Sequence, residues 1–515
     1  MISLTKAAIA ADSPLTAAAG ARIAREGGSA VDIAVSAALT AAVAEPLMCS
    51  LGGSGFFMVR PAEKQAELVE GADATPTINE RPTSESSAWR TARLPYGDGI
   101  DVRAGEASVA VPGMLAAAEA VWKRHGRLPW REIVAPALEL ARRQIPTCTT
   151  LAKWLGMAGR VLFWQQDACR RCFFPSGETP LRESDPFRIP NLDQTYEAIA
   201  EQGARALYEG DLAATFAGEI QENGGFVTRE DLAAYRAVVR KPIALESRGF
   251  QLALNPPPAV GGAAVGCLIN MLQSNWCDAM SSAERALLHS RAQGRLLGIR
   301  EDQLTQPNFD DQVDAKLFIE TGLRGKLEAL KSPNTTHLSV VTSDGSMSAV
   351  TMSMGYGAGV IVPSLGITCN NSLGEPELNP HGFHVAQPGT RLVSNMAPTL
   401  AWHADGQCLA FGSPGASRIT TAIAQTWARF AFEGMTFEQA VQAPRLHIEP
   451  FHDGLRAQFE PGIDANLLAD EYIVRPFDST DMYFGAIKLA ALDCHGQFHA
   501  VADERRHGAV EIVEK

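Results

Sequence analysis

The chain has 515 residues, 46% hydrophobic and 20% charged, the make-up of a folded protein with a sizeable core. A net charge of −13 offers no basic face to a nucleic acid, and the most apolar run, 33–44, is too short for a membrane span. The nine cysteines follow no regular spacing, and the start Met1-Ile2-Ser3-Leu4-Thr5-Lys6 lacks a basic segment followed by an apolar one; both predict a reduced, cytoplasmic protein. Cys169 and Cys172 form the one close pair, without the further ligands that zinc requires, so free thiols and no metal are expected.

In chain order, 17–44 carries helical spacing broken at Gly27-Gly28, which predicts two helices with glycine ending the first. Leu51-Gly52-Gly53-Ser54-Gly55 then leads into a strand at 56–59. Helix, glycine turn, strand is the reverse of the order needed to cradle a dinucleotide, so close backbone approach explains the glycines better. Residues 73–107 read as an irregular surface excursion. Helices are predicted over 115–142 (broken at 126–129), 191–203, 211–223 and, after the rigid turn Asn255-Pro256-Pro257-Pro258, over 263–272. Charged helical pieces are expected across 305–334, ending in the linker Lys331-Ser332-Pro333-Asn334. Strands follow at 336–342 and 348–354, and a strand, turn and helix unit starts at Leu409. Helices early and strands later suit a layered α+β or αββα arrangement.

The motifs G-x-S-x-G, H-E-x-x-H and G-x-x-x-x-G-K-[ST] are all missing, which removes the usual serine-hydrolase, zinc-protease and P-loop readings. Asn334-Thr335-Thr336-His337 sits where the linker meets a strand. A three-residue hairpin loop at Ser343-Asp344-Gly345, ending in a left-handed glycine, pairs Thr342 with Ser346 and Thr335 with Ser353. A two-residue turn at Asp344-Gly345 would set Thr335 opposite Met354 instead. On residue type alone, two threonines at a strand start express β-propensity and nothing more.

Several blocks, in order over about 8–460, resemble the γ-glutamyltranspeptidase family. They are Gly27-Gly28-Ser29-Ala30-Val31-Asp32, Leu51-Gly52-Gly53-Ser54-Gly55-Phe56, Pro256-Pro257-Pro258 with Gly261-Gly262, Thr335-Thr336-His337, Asn370-Asn371-Ser372, Ser394-Asn395-Met396-Ala397-Pro398-Thr399, Gly412-Ser413-Pro414-Gly415-Ala416-Ser417-Arg418 and Ala443-Pro444-Arg445. The resemblance implies the four-layer αββα sandwich of N-terminal-nucleophile hydrolases. It also implies autocatalytic cleavage between Asn334 and Thr335, giving a large subunit 1–334 and a small subunit 335–515 within one globular unit. Thr335 would be the nucleophile and its freed α-amine, with a reference pKa of roughly 7.7–8.0, the base. No cofactor is needed for such chemistry. The expected partners are a small-molecule amide and the two halves of the cleaved chain, with a homo-oligomer left open.

Residue by residue, Ser353 matches the family's second hydroxyl, usually a threonine, and Gly415 and Ala416 match the oxyanion turn, usually two glycines. Glu375 matches the acid that takes a substrate ammonium; Ser394 and Asn395 match the pair that takes the α-carboxylate, the second being serine in the family. Where the family has a carboxylate-binding arginine, this chain has Asn79, with Arg81 two residues on. An amide does not replace a bidentate guanidinium, so either Arg81 takes the role or the acyl group is not glutamyl. The latter choice points to a cephalosporin-acylase-like or oxamate-type amidohydrolase. A short segment between Asn371 and Arg391 favours hydrolysis over transfer. His337 is expected to be a packed strand residue.

Overall fold

The computed structural model describes residues 4–79, 81–82, 84–95, 99–303 (298–303 by backbone alone), 334–379, 382–452 and 454–514. The helical pieces and linker expected between 305 and 333 lie outside them.

Two antiparallel sheets form the centre. The first runs Ala509–Val513, Ala7–Ala11, Thr335–Thr342, Met347–Ser353, Ser54–Arg60, Glu67–Gly71, Val238–Arg240 in spatial order. The second runs Phe498–Ala502, Lys488–Leu492, Cys408–Gly412, Thr399–Trp402, Phe250–Leu254, Ile243–Ser247. Three apolar layers separate four structural ones. Phe56, Met58, Val341 and Met347 of the first sheet meet Ala253, Leu400, Ala410 and Ala490 of the second. On the outer face of the first sheet, Leu338, Val340, Val350 and Met352 pack with the helices Pro14–Arg25, Ala30–Ala44, Met114–His125 and Trp130–Ala141. On the far face of the second, Leu252, Leu409, Phe411 and Leu489 pack with Gly261–Asn275 and Arg418–Ala431. The protein is therefore an αββα sandwich, as the resemblance implies.

The period-2 alternation of a strand explains how Thr335–Thr342 serves two layers. Leu338 and Val340 enter the helix-side core. His337 and Ser339 face the second sheet: the imidazole packs on Gly412, where a Cβ would come within 2.3 Å, and Ser339 Oγ donates to the Lys488 carbonyl at 3.0 Å. Helix Ala30–Ala44 is buried along its whole length, begun by a Ser29–Asp32 capping box.

The hairpin takes the three-residue loop. Thr342 N–H donates to Ser346 O at 3.0 Å, Gly345 has φ +78°, and Thr335 pairs with Ser353. The glycine cluster also behaves as expected: a Cβ on Gly52 would lie 2.4 Å from Thr368 O, and one on Gly53 2.4 Å from Ser353 O.

Two expectations need correction. The excursion 73–107 contains a ribbon, Arg90–Leu94 paired with Ile100–Ala104. Strands also do not wait for the last third. Ala7–Ala11 is an interior strand of the first sheet, Ile243–Ser247 is an edge strand of the second, and Phe250–Leu254 lies just inside that edge. An alanine-rich Ala-Ala-Ile-Ala-Ala has helical propensity; here it is a strand because flanking strands on both sides complete its hydrogen bonds and every residue is buried.

Gly345→Ala keeps space for a methyl, since nothing lies within 4 Å, but puts it at positive φ. Equilibrium unfolding should show a loss of about 1 kcal/mol.

Candidate active site

Thr335 begins the third strand of the first sheet and is 3% exposed. Its Oγ1 lies 3.5 Å from Ser353 Oγ, and Ser353 Oγ donates to the carbonyl of Asn334 at 2.5 Å. Ser353 also accepts from Gly355 N at 3.1 Å. One serine hydroxyl thus touches both the threonine side chain and the peptide carbonyl just before it. Arg506, buried in the C-terminal turn Glu504–Arg506, donates to Thr335 O at 2.9 Å. No sequence signal pointed to Arg506, because 171 residues separate it from its acceptor.

Behind the strand Thr335–Thr342 is a buried charge cluster. Asp12 Oδ2 accepts from His337 N–H at 3.1 Å and Thr336 Oγ1 at 3.0 Å, while Asp12 Oδ1 is 2.5 Å from Lys488 Nζ. Thr336 Oγ1 also lies 2.7 Å from Glu45 Oε2. Burial, then the charge of Asp12, raises the Glu45 carboxyl to about 7, against hydrogen bonds from Thr336 and Thr16. His337 sits between Thr351 Oγ1 at 2.8 Å and Ser339 Oγ at 3.0 Å; burial, with Lys488 adding to it, holds the imidazole well below its ordinary value. It is a neutral packed histidine, as expected.

The strand Cys408–Gly412 ends in Ser413-Pro414-Gly415-Ala416 before helix Arg418–Ala431. Gly415 has φ +123° and Ala416 φ +58°, a left-handed alanine. Among the described residues, no acceptor pairs with the N–H of either. Ala416 lines the same pocket as Thr335 and Ser353, with Gly415 beside it. Two unsatisfied donors at a helix start are what a developing oxyanion needs.

Glu375, Ser394 and Asn395 all line this pocket. Gly355 admits Glu375: with φ +66°, a Cβ there would fall 1.7 Å from Glu375 Oε1. Gly261 does the same for Ser394 and Asn395, since its Cβ would lie 2.0 Å from Asn395 O. Asn370 and Asn371 brace the loop; Asn371 Oδ1 accepts from Tyr356 N at 2.8 Å and Gly357 N at 3.1 Å. Arg81 is exposed and does not line the pocket; its charge is felt instead by His384. Among the described residues that line it, Asp73, Glu375 and Glu377 are acidic and none is Arg or Lys. Asp73 was not singled out from sequence, where a lone acid after a strand carries no signal.

Cys169 and Cys172 are buried, free thiols, and burial pushes Cys172 up to about 11. No metal-binding cluster occurs among the described residues, and no helix among them is long and apolar enough to cross a membrane.

The family model for γ-glutamyltranspeptidase matches residues 16–513. The chain belongs to the γ-glutamyltranspeptidase family. It is therefore an enzyme of the N-terminal-nucleophile hydrolase type. It is 30% identical to the glutathione hydrolase proenzyme of Escherichia coli, over 85% of this chain and 80% of that one. It is 28% identical to the acylase ACY 1 proenzyme of a Pseudomonas species, over 85% and 81%. Cephalosporin acylase from Bacillus halodurans shares the fold at a TM-score of 0.80 and 23% identity, over 99% of this chain and 96% of that one.

A left-handed alanine stores about 1–2 kcal/mol of strain, partly offset by the extra chain entropy a glycine would lose. Ala416→Gly should raise the unfolding free energy by about 0.5–1 kcal/mol, read by denaturant titration.

Proposed function

We propose that this enzyme cleaves its own chain between Asn334 and Thr335, giving subunits 1–334 and 335–515, and then hydrolyses γ-glutamyl amides, glutathione-like substrates included, through an acyl-threonine. The observation that carries the reading is the Ser353 hydroxyl, set against both Thr335 Oγ1 and the Asn334 carbonyl oxygen. In processing, Thr335 Oγ attacks the Asn334 carbonyl carbon while Ser353 steadies the oxyanion. The C–N bond breaks to leave an ester, and water releases the Asn334 carboxylate. The amine freed on Thr335 is the base that the next reaction lacked until then.

In turnover that amine takes the Oγ proton, directly or through water, as Oγ adds to the substrate carbonyl. The N–H groups of Gly415 and Ala416 receive the oxyanion. The amide nitrogen leaves with the proton, and water then cleaves the acyl-threonine. Arg506 keeps the Thr335 main chain in place through its carbonyl. Glu375 takes the substrate ammonium, and Ser394 with Asn395 the carboxylate. Arg81 contributes nothing from where it stands. The short segment between Asn371 and Arg391 supports water over an amine as acceptor.

A second reading, an acylase for a different acyl group, is favoured by the lack of an Arg or Lys among the described residues that line the pocket and by the acylase relative. Assays on γ-glutamyl and glutaryl anilides separate the two. The first reading expects faster turnover of the γ-glutamyl compound, a loss of about 10³-fold or more in Thr335→Ala, and little gain in product release from added glycylglycine. Turnover of the glutaryl anilide alone would select the second reading; equal turnover by Thr335→Ala would end both.

A further inference from the structure

Asp73 follows the strand Glu67–Gly71 and is 3% exposed, yet it lines the pocket that holds Thr335. Its main chain is fixed, with Leu392 N–H donating to Asp73 O at 3.0 Å. Its Oδ2 is 2.6 Å from the Ser372 hydroxyl. Its Oδ1 is buried and has no hydrogen-bond partner among the described residues. A buried polar atom without a partner is costly, and this one belongs to a side chain that lines the pocket holding Thr335.

The surroundings decide its charge. Glu375 and Glu377 share the pocket. Arg391 lies behind, donating to Ala72 O at 3.1 Å with its guanidinium 3.9 Å over the Tyr235 ring. Tyr208 and Tyr235 are buried phenols held neutral. Burial lifts Asp73 to about 8, with Ser372 and Arg391 pulling the other way without prevailing. The α-amine freed on Thr335 would join these groups after cleavage.

We propose that the protonated Asp73 carboxyl is a specificity-determining hydrogen-bond donor to an oxygen of the substrate's acyl group, a carboxylate or carbonyl distal to the scissile amide. Where no Arg or Lys lines the pocket among the described residues, a neutral carboxylic acid can still bond such an oxygen without adding charge. The proposal rests on this pocket being the acyl site, and it selects acyl groups with a distal oxygen over alkyl chains.

The test is calorimetric titration of the full-length protein with glutarate and with butyrate, which differ by the distal carboxylate. Wild type should bind glutarate at least tenfold more tightly at pH 7. Raising the pH through about 8 ionises Asp73 and turns donor into like charge, so the preference should fall about tenfold by pH 9. Asp73→Leu should erase the preference. Asp73→Asn, which keeps an N–H donor, should retain it within about threefold and lose its decline above pH 8. No preference in wild type, a preference unchanged in Asp73→Leu, or Asp73→Asn as poor as Asp73→Leu each overturns the proposal. A glutarate preference in a protein without amidase activity would fault the catalytic reading alone; an active amidase without the preference would fault this one alone.

Discussion

A lysine on one sheet and an aspartate beside the other hold the layers of this sandwich in a single relation. Lys488 Nζ lies 2.5 Å from Asp12 Oδ1, both side chains almost wholly buried. Such a pair adds little net stability, because two charges lose their water to form it. Its value here is positional. The other oxygen of Asp12 takes the His337 N–H and the Thr336 hydroxyl, so the Thr335 end of the strand is tied to the neighbouring sheet. That sheet carries the Gly415-Ala416 turn. Thr335 and the Gly415-Ala416 turn thus come from different layers, and this contact ties those layers together.

The glycines complete the placement from the opposite direction. Gly53, Gly261 and Gly355 each stand where a side chain would strike Ser353, Asn395 or Glu375. The pocket is thus built by removing side chains from the backbones around it as much as by placing functional groups. Its lining is unbalanced: among the described residues, Asp73, Glu375 and Glu377 line it and no Arg or Lys does.

Much of this was legible in the sequence, for identifiable reasons. The Ser343-Asp344-Gly345 loop fixed the register, because a left-handed glycine leaves few ways to close a hairpin. The capped helices Pro14–Arg25 and Ala30–Ala44 followed from apolar spacing around Gly27-Gly28. Thr335, Ser353, Ala416, Glu375, Ser394 and Asn395 do share one pocket. What escaped depends on distant contacts. Ala7–Ala11 is a strand only because its neighbours pair with it. Arg506 reaches Thr335 from near the end of the chain. Asp73 gains its character from burial, which no local pattern announces. Arg81 shows the converse: nearness in sequence to the matching position did not bring it to the pocket.

Cleavage before Thr335 would make that threonine a chain terminus. Intact-mass spectrometry of the purified wild-type protein and of Thr335→Ala reads this out. Wild type should give two polypeptides, 1–334 and 335–515, with threonine first in the smaller, and the variant one uncut chain. A wild-type protein that stays whole while hydrolysing amides, or a variant cut at the same bond, would contradict it.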